Sequence, residues 1–471
     1  MSLRINPAIV RAYDLRGIAR DQLRLEDAWL LGFAYATVAR SRGLLRIAVG
    51  RDGRLTSPEL EAGLIAGLTA GGMHVHRIGL GPTPQVYFAV RALGLDGGIM
   101  VTASHNPSDH NGFKVLLGTE PVYGAQLQTL VATEPRSAPG GCVQEMSVTE
   151  AYIQRLAALG AGMLDMKVVW DCGNGSVGAV IDELTSRLPG RHVLLNVEVD
   201  GRFPAHHPDP SVAENLYQLQ LAVREEGADL GIAFDGDGDR IGIVDENGAI
   251  FDSDHLLLLL ATDVLAQQPG AAIVADVKCS SVLFDGILRR GGRPIMAPSG
   301  YVHVRDAMLR ERAPLAGEMS GHIFFADCWC RTDDALYVAM RTLGALTRQR
   351  CTIESFRASL PATASTSEIR ISCPEERKSA VVREIGERVA TSGAVVNCVD
   401  GIRVTTENGW WLLRASGTES KLTVRCEAGD PHALERLCRE VIGHLELSGV
   451  PSASEITAAT RPWRSGERSN L

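Results

Sequence analysis

Short apolar runs that stop in polar, glycine-bearing turns recur along most of the chain. Three stand out: LRIAVGRDGR (45–54), MKVVWDCGNGSVG (166–178) and AAIVADVKCSS (271–281). Each reads as a buried strand, and each precedes a segment compatible with a helix. The clearest helix is SPELEAGLIAGLTAGG (57–72), with Ser57 as the expected N-cap and Pro58 at the first helical position. GPTPQVYFAVRAL (81–93) and then DGGIMVTAS form a further unit. Such alternation predicts α/β units with mixed, mainly parallel sheets. Their spacing places three domains in tandem, at residues 1–147, 148–250 and 251–361.

From residue 362 the pattern changes. TSEIRISC (366–373), GAVVNCVDGIRVTTENGWWLLRAS (393–416) and KLTVRCEA (421–428) read as antiparallel strands, with a hairpin at Asn408-Gly409. HALERLCREVIGHL (432–445) reads as an amphipathic helix, and the tail from about Pro451 as polar and mobile. The expected class is therefore α/β: three tandem mixed-sheet α/β domains plus a C-terminal α+β domain spanning 362–471.

Composition narrows the field. A length of 471 residues fits three or four domains. The net charge of −9 is spread along the chain, with no basic stripe for nucleic acid. No apolar stretch is long enough to span a membrane. Met1-Ser2-Leu3-Arg4 opens no signal peptide, so the expected compartment is the cytoplasm. The ten cysteines form no disulfide ladder. Cys172, Cys398 and Cys426 sit in apolar contexts, and Cys328-Trp-Cys330 has no second pair nearby, so reduced thiols are expected.

The strongest chemical signal is FDGDGDRIGIVDENGAIF (234–251). Asp235, Asp237 and Asp239 alternate with glycines, and three carboxylates so close repel one another unless a cation neutralises them. A calcium loop of the EF-hand type also places acids at such spacing, with Glu246 as its last ligand. It needs glycine where Arg240 stands, and a helix on each side, whereas Ile241-Gly-Ile-Val244 alternates as a strand. A solvated acidic turn is the bland alternative. The preferred reading is a hard-cation site, magnesium above all, on a strand-to-strand loop.

In GGIMVTASHNPSDHNGFKVL (97–116) a buried strand ends at Ser104, followed by His105, Asn106 and Pro107, with Lys114 downstream. Taken alone, Ser104 is a loop or capping serine. No Gly-x-Ser-x-Gly elbow surrounds it, so acyl transfer is disfavoured. Beside a metal loop, a serine and a lysine suit phosphoryl transfer. In APLAGEMSGHIFF (313–325), Glu318 and Ser320 offer an acceptor and a donor suited to sugar hydroxyls; a structural turn is the alternative. In RASGTESKLTVR (414–425), Arg414, Ser416, Gly417, Thr418 and Ser420 read as a phosphate cradle, against a plain hairpin loop. AYDLRGI (12–18) contributes Tyr13 and Arg16, a weak signal alone.

Taken in order, Thr102-Ala-Ser-His-Asn-Pro107, Asp235-Gly-Asp-Gly-Asp-Arg240, Gly317-Glu-Met-Ser-Gly-His322 and Arg414-Ala-Ser-Gly-Thr418 resemble the four loops of the α-D-phosphohexomutases. Met319 resembles the bacterial phosphomannomutase/phosphoglucomutase branch, where phosphoglucosamine mutases usually carry glutamine. The resemblance implies four domains around a central cleft, each giving one loop. It implies a phosphorylated Ser104, with magnesium held by Ser104, Asp235, Asp237 and Asp239. Catalytic roles would fall to Ser104, Lys114, Arg16 and His322. Substrate would be bound by Tyr13, Arg240, Lys278, Tyr301, His303, Glu318, Ser320, Arg414, Ser416, Gly417 and Thr418. The implied reaction interconverts hexose 1- and 6-phosphates of mannose or glucose through a 1,6-bisphosphate, with glucose 1,6-bisphosphate as activator, in a monomer or dimer.

Two departures stand out. The branch often carries Thr-Gly-His before the third loop; here it is Ser299-Gly300-Tyr301, with His303 two residues on. Ser420 stands where proline is common. Rival readings are a phosphoglucosamine mutase, a magnesium-dependent sugar phosphatase and a silent sugar-phosphate or calcium-binding protein.

Overall fold

A computed structural model describes residues 4–391, 393–416, 420–452 and 454–458. Four sheets follow one another along the chain. The first orders its strands Leu15–Ile18, His110–Leu117, Gly97–Val101, Arg46–Arg51, His74–Leu80 and Cys142–Glu145, with Glu120–Pro121 paired to the second of these. The last four in that path run parallel and the first two antiparallel. The second orders Ile250–Phe251, Ile241–Asp245, Leu230–Phe234, Lys167–Asp171 and Arg191–Leu195, the last three parallel. In the third, Arg293–Ala297, Ala272–Asp276 and Leu315–Gly317 are parallel, and Ile323–Phe325 closes the edge antiparallel.

The first three sheets thus repeat one device. A buried parallel strand leaves the sheet at its C-terminal end, forms a polar loop and returns as an antiparallel neighbour. The serine, triple-aspartate and Glu318 loops all occupy this place, where open α/β sheets hold ligands. The fourth sheet is antiparallel throughout, with Asn408-Gly409 in the expected hairpin and Pro431–Leu447 as the expected helix.

One continuous apolar core runs through the first three units, from Ala48 and Trp170 to Leu258 and Phe356. A second lies behind the first sheet, around Leu31, Leu64 and Phe113. The fourth unit has its own core, including Ile371, Trp411 and Leu437. It meets the third through a small apolar patch of Val277, Trp410 and Leu412.

Two expectations are corrected. The helix at 57 runs Ser57–Ala70 with Thr56, not Ser57, at the N-cap. The Ser57 hydroxyl donates instead to Asp52 at 2.5 Å, because that carboxylate ends the preceding strand and turns under the helix. The tail is not wholly loose: Ser452 and Ile456 are buried, Ile456 in the fourth core. Residues 459–471 lie outside the described residues. Among the described residues no helix is long and apolar enough to cross a membrane.

Candidate active site

The serine loop enters the interface between the first two sheets. Ser104 is buried and adopts a left-handed backbone, φ +52°, a costly conformation for a residue with a side chain. Its N–H donates to Thr102 Oγ1 at 2.8 Å. Arg54 holds the rest of the loop. Its guanidinium donates to the carbonyls of Ser104, Asn106, Pro107 and His110 at 2.6–2.9 Å, and it pairs with Asp52 at 3.2 Å. Arg16 adds bonds to Ala103 O and Asn106 Oδ1, and is itself held by Asp14. A strained serine fixed this heavily has one direction in which to present its oxygen.

That direction is the aspartate loop. Ser104 Oγ donates to Asp235 Oδ2 at 2.6 Å and lies 3.1 Å from His105 Nδ1. Gly236 permits the approach, since a Cβ there would meet the Ser104 carbonyl at 2.6 Å. Asp235 Oδ1 accepts the N–H groups of Asp239 and Arg240, which curls the loop so that the three carboxylates converge. One oxygen of each lies within 4.8 Å of the others. Lys114 Nζ bridges Asp237 Oδ2, at 2.7 Å, and Asp239 Oδ2. Thr83 Oγ1 also donates to Asp237 Oδ2.

The second oxygens, Oδ1 of Asp237 and of Asp239, are buried with no hydrogen-bond partner among the described residues. Buried anionic oxygens without a donor are costly, and their convergence beside a serine oxygen is the donor set a hard divalent cation takes. The residues therefore fit a metal ion.

Electrostatics agree. Burial, then the charges of Asp239 and Asp237, push the Asp235 carboxyl well up. Burial and Asp237 raise Asp239 as well. Burial opposes the charge of Asp237 too, but Lys114 outweighs it and holds that carboxyl below its usual range. Lys114 is kept protonated the same way: burial disfavours its charge, and Asp237 and Asp239 more than restore it. Burial, then the charges of Arg240 and Arg16, hold His105 neutral.

The third loop docks on the second. Gly321, at φ +92°, lets the Ile241 N–H reach its carbonyl. Arg240 Nε donates to His322 Nε2 at 2.9 Å, so the histidine proton sits on Nδ1, which faces Asp333 at 2.5 Å. Glu318 is buried, and its Oε1 accepts from the Gly300 N–H at 2.6 Å. Ser320 Oγ lies 3.5 Å from Glu318 Oε2. Burial and Asp276 raise the Glu318 carboxyl.

Tyr301 opens the helix Tyr301–Glu311 and stacks on His322, with centroids 5.7 Å apart, while its edge meets Tyr13. His303 packs against Tyr13 and Tyr123. Tyr13 donates to Ser299 O at 3.4 Å, and its phenol, raised by burial, also feels Arg414, Glu318, Asp400 and Lys278. One first-domain ring thus sits among charges from the third and fourth units.

Lys278 pairs with Glu368 at 3.3 Å and Asp276 at 3.8 Å. Arg414 pairs with Asp400 at 2.9 Å, and Asp400 also accepts the Ser299 N–H. Ser416 closes the base of its hairpin by donating its N–H to Lys421 O, while its carbonyl accepts from Lys378. Gly417 and Thr418 lie outside the described residues.

The sequence-predicted residues therefore form two groups. Ser104, Asp235, Asp237, Asp239, Lys114, Arg16, Arg240 and His322 form one; Lys278, Glu318, Ser320 and Arg414 form the other, with Tyr13 and Tyr301 between. Arg54, Thr83, Asp333 and Asp400 serve the same cleft without having been singled out from sequence. Their only signal is position: Asp52 and Arg54 end a strand, and Asp333 precedes a helix.

Comparison with known proteins gives the same picture. Four family models match in order: phosphoglucomutase/phosphomannomutase alpha/beta/alpha domains I, II and III over residues 7–132, 150–248 and 252–363, and the C-terminal domain over 368–444. A phosphomannomutase/phosphoglucomutase of Pseudomonas aeruginosa is 41% identical over 449 residues, covering 95% of this chain and 96% of that one. A phosphoglucomutase of Neisseria gonorrhoeae is 39% identical over 436 residues, 91% of this chain and 95% of that one. The crystal structure of a phosphoglucomutase/phosphomannomutase family protein from Burkholderia thailandensis superposes with a TM-score of 0.87 at 35% identity, covering 94% of this chain and 98% of that one. Four matched domains, in order and nearly end to end, place this chain in the phosphoglucomutase/phosphomannomutase family of α-D-phosphohexomutases.

Proposed function

We propose that the protein moves a phosphoryl group between Ser104 and the 1- and 6-hydroxyls of a hexose, interconverting hexose 1-phosphate and hexose 6-phosphate of mannose or glucose. The observation that carries this is the Ser104 oxygen, 2.6 Å from Asp235 and beside the Lys114-bridged pair Asp237 and Asp239. Asp235, Asp237, Asp239 and the serine oxygen would hold a magnesium ion, which would supply charge neutralisation for the transferring group. Lys114, held protonated, acts as a fixed cation and not as a base. Arg16 and Arg54 hold the strained serine in one pose. Arg240, oriented by His322 and Asp333, adds positive charge beside Asp235 and His105. Glu318 and Ser320 read the 3- and 4-hydroxyls, which exchange places when the bisphosphate intermediate turns over. Arg414, Ser416, Gly417 and Thr418, with Lys278, hold the phosphate that is not reacting. Tyr301, at the place where the branch often has histidine, offers a hydroxyl and no cation. All four loops come from one chain, so a monomer suffices.

The test is intact-mass measurement before and after incubation with glucose 1,6-bisphosphate, the proposed activator. The chain should gain one phosphoryl group, and Ser104→Ala should not. Isomerisation of mannose 1-phosphate or glucose 1-phosphate should require the phosphorylated form. Release of free phosphate without isomer would make the protein a phosphatase instead. Faster turnover of glucosamine phosphate than of either hexose phosphate would support the phosphoglucosamine reading, against which Met319 stands.

A further inference from the structure

Outside the cleft, a cavity of about 750 Å3 opens where the first three units meet, and none of the described residues assigned to the catalytic cleft lines it. Four arginines and two carboxylates line it: Arg91, Arg155, Arg305 and Arg331, with Glu120 and Asp327. The two carboxylates are already engaged. Glu120 pairs with Arg305 at 2.7 Å, and Asp327 with Arg341 at 2.9 Å. Among the described residues no carboxylate lies within ion-pair distance of Arg91, Arg155 or Arg331, and all three line the cavity, Arg331 near enough to Glu120 for its charge to help lower that carboxyl.

Their origins make the convergence telling. Arg91 stands on the helix Thr83–Ala92, Arg155 on Thr149–Ala157, and Arg331 ends the turn Trp329–Arg331. Arg331 adopts a left-handed backbone, φ +52°, an unfavourable conformation for arginine. Like charges brought together from three units repel, and the net charge of −9 shows that the chain has no general excess of cations to explain them. Guanidinium forks match phosphate oxygens two at a time. The volume exceeds what one phosphate fills and falls in the range of cofactor-sized sites. The remaining wall includes Leu159 and Leu309, apolar surface for an organic moiety.

We infer that this junction is a second binding site, separate from the catalytic cleft, for an organic di- or triphosphate of nucleotide size. ADP is the probe, titrated calorimetrically into the full-length protein in three forms: wild type, Arg414→Ala, and Arg155→Ser/Arg331→Ser. The wild type and Arg414→Ala should bind one ADP with the same affinity. The double variant should bind about a hundredfold more weakly, as expected for losing two charge-assisted phosphate contacts, while keeping wild-type turnover. If the double variant does not fold, Arg91→Ser, on an exposed helix position, should weaken binding about tenfold. Absence of saturable binding in the wild type would overturn the inference. So would equal affinity in wild type and the arginine variants, or loss of binding in Arg414→Ala, which would put ADP in the catalytic cleft.

Discussion

Replacing Lys114 by methionine keeps the length of the side chain and removes the ammonium that bridges Asp237 and Asp239. All three groups are buried, and the Nζ to Asp237 Oδ2 separation is 2.7 Å. At an effective dielectric near 20, a unit pair at that distance attracts by about 6 kcal/mol. Desolvation offsets part of this, and deleting one partner of a buried pair costs about 3–5 kcal/mol. For a unit of this size that lowers the melting temperature by about 10 °C. The cost must depend on pH. Lys114 holds the Asp237 carboxyl below its usual range, so the wild type has the stability of that carboxylate above its unfolded pKa and loses it only as pH falls on through the lowered folded value. Without the lysine, Asp237 escapes by taking a proton. The deficit should therefore be smaller at pH 4 than at pH 8. Magnesium should recover part of it at pH 8, about 2.7 kcal/mol at a hundredfold excess over its dissociation constant. Melting curves at both pH values, with magnesium and with EDTA, give all four numbers. Turnover should fall by about 10²–10³ even with magnesium, because the transferring phosphoryl group loses a fixed cation. Wild-type stability of Lys114→Met at pH 8 in EDTA, or a deficit that does not grow with pH, would refute the charge account of this site.

Asp334 caps the helix Ala335–Gln349, accepts from Tyr152, and is pushed up to about 7 by burial. A raised folded value means that its stabilising share is complete below pH 4 and is lost as pH rises to 7. The loss is about 4 kcal/mol, and urea midpoints of Asp334→Asn should lack that slope. Arg54→Lys cannot reach the four carbonyls that the fork now serves. It should cost about 3 kcal/mol by chemical denaturation and slow phosphorylation of Ser104 without changing magnesium affinity. Arg414→Ala should weaken hexose 1-phosphate and hexose 6-phosphate alike in competition assays, and a loss confined to one isomer would contradict a shared anchor.

The four loops were legible because each is a local event: a strand stops, and polar or glycine residues follow at fixed spacing. What joins the loops was not. Arg54 sits 50 positions before the serine it clamps, and nothing near it in the chain says that its fork reaches four carbonyls there. Asp333 looks like any residue before a helix until His322 is folded against it. The Ser57 cap failed for a related reason: a hydroxyl with a free helix end nearby was instead taken by Asp52, a stronger acceptor. The helix Glu375–Ala390 went unread although Val381, Ile385 and Val389 recur every four residues.

The cleft divides unevenly, and the division fits a reaction in which one intermediate is used in two orientations. Serine, aspartate and Glu318 loops stand on three sheets that share a continuous apolar core. Moving one against another would open that core, so the Ser104 oxygen, the three aspartate carboxylates and Glu318 keep their relative places. Arg414, the proposed phosphate anchor, stands on a unit with a separate core, joined by Val277, Trp410 and Leu412 and by polar links. Those links are of a kind that can be remade in water. Arg403 donates to the carbonyls of Val277 and Cys279, Ser281 donates to Glu427, and Lys278 meets Glu368. A small patch plus a few charge-assisted bonds is a cheap joint beside a shared core. The proposed reaction needs a fixed transfer site and a phosphate anchor that can release and recapture its ligand, and the rigid and yielding parts of the fold fall on those two sides.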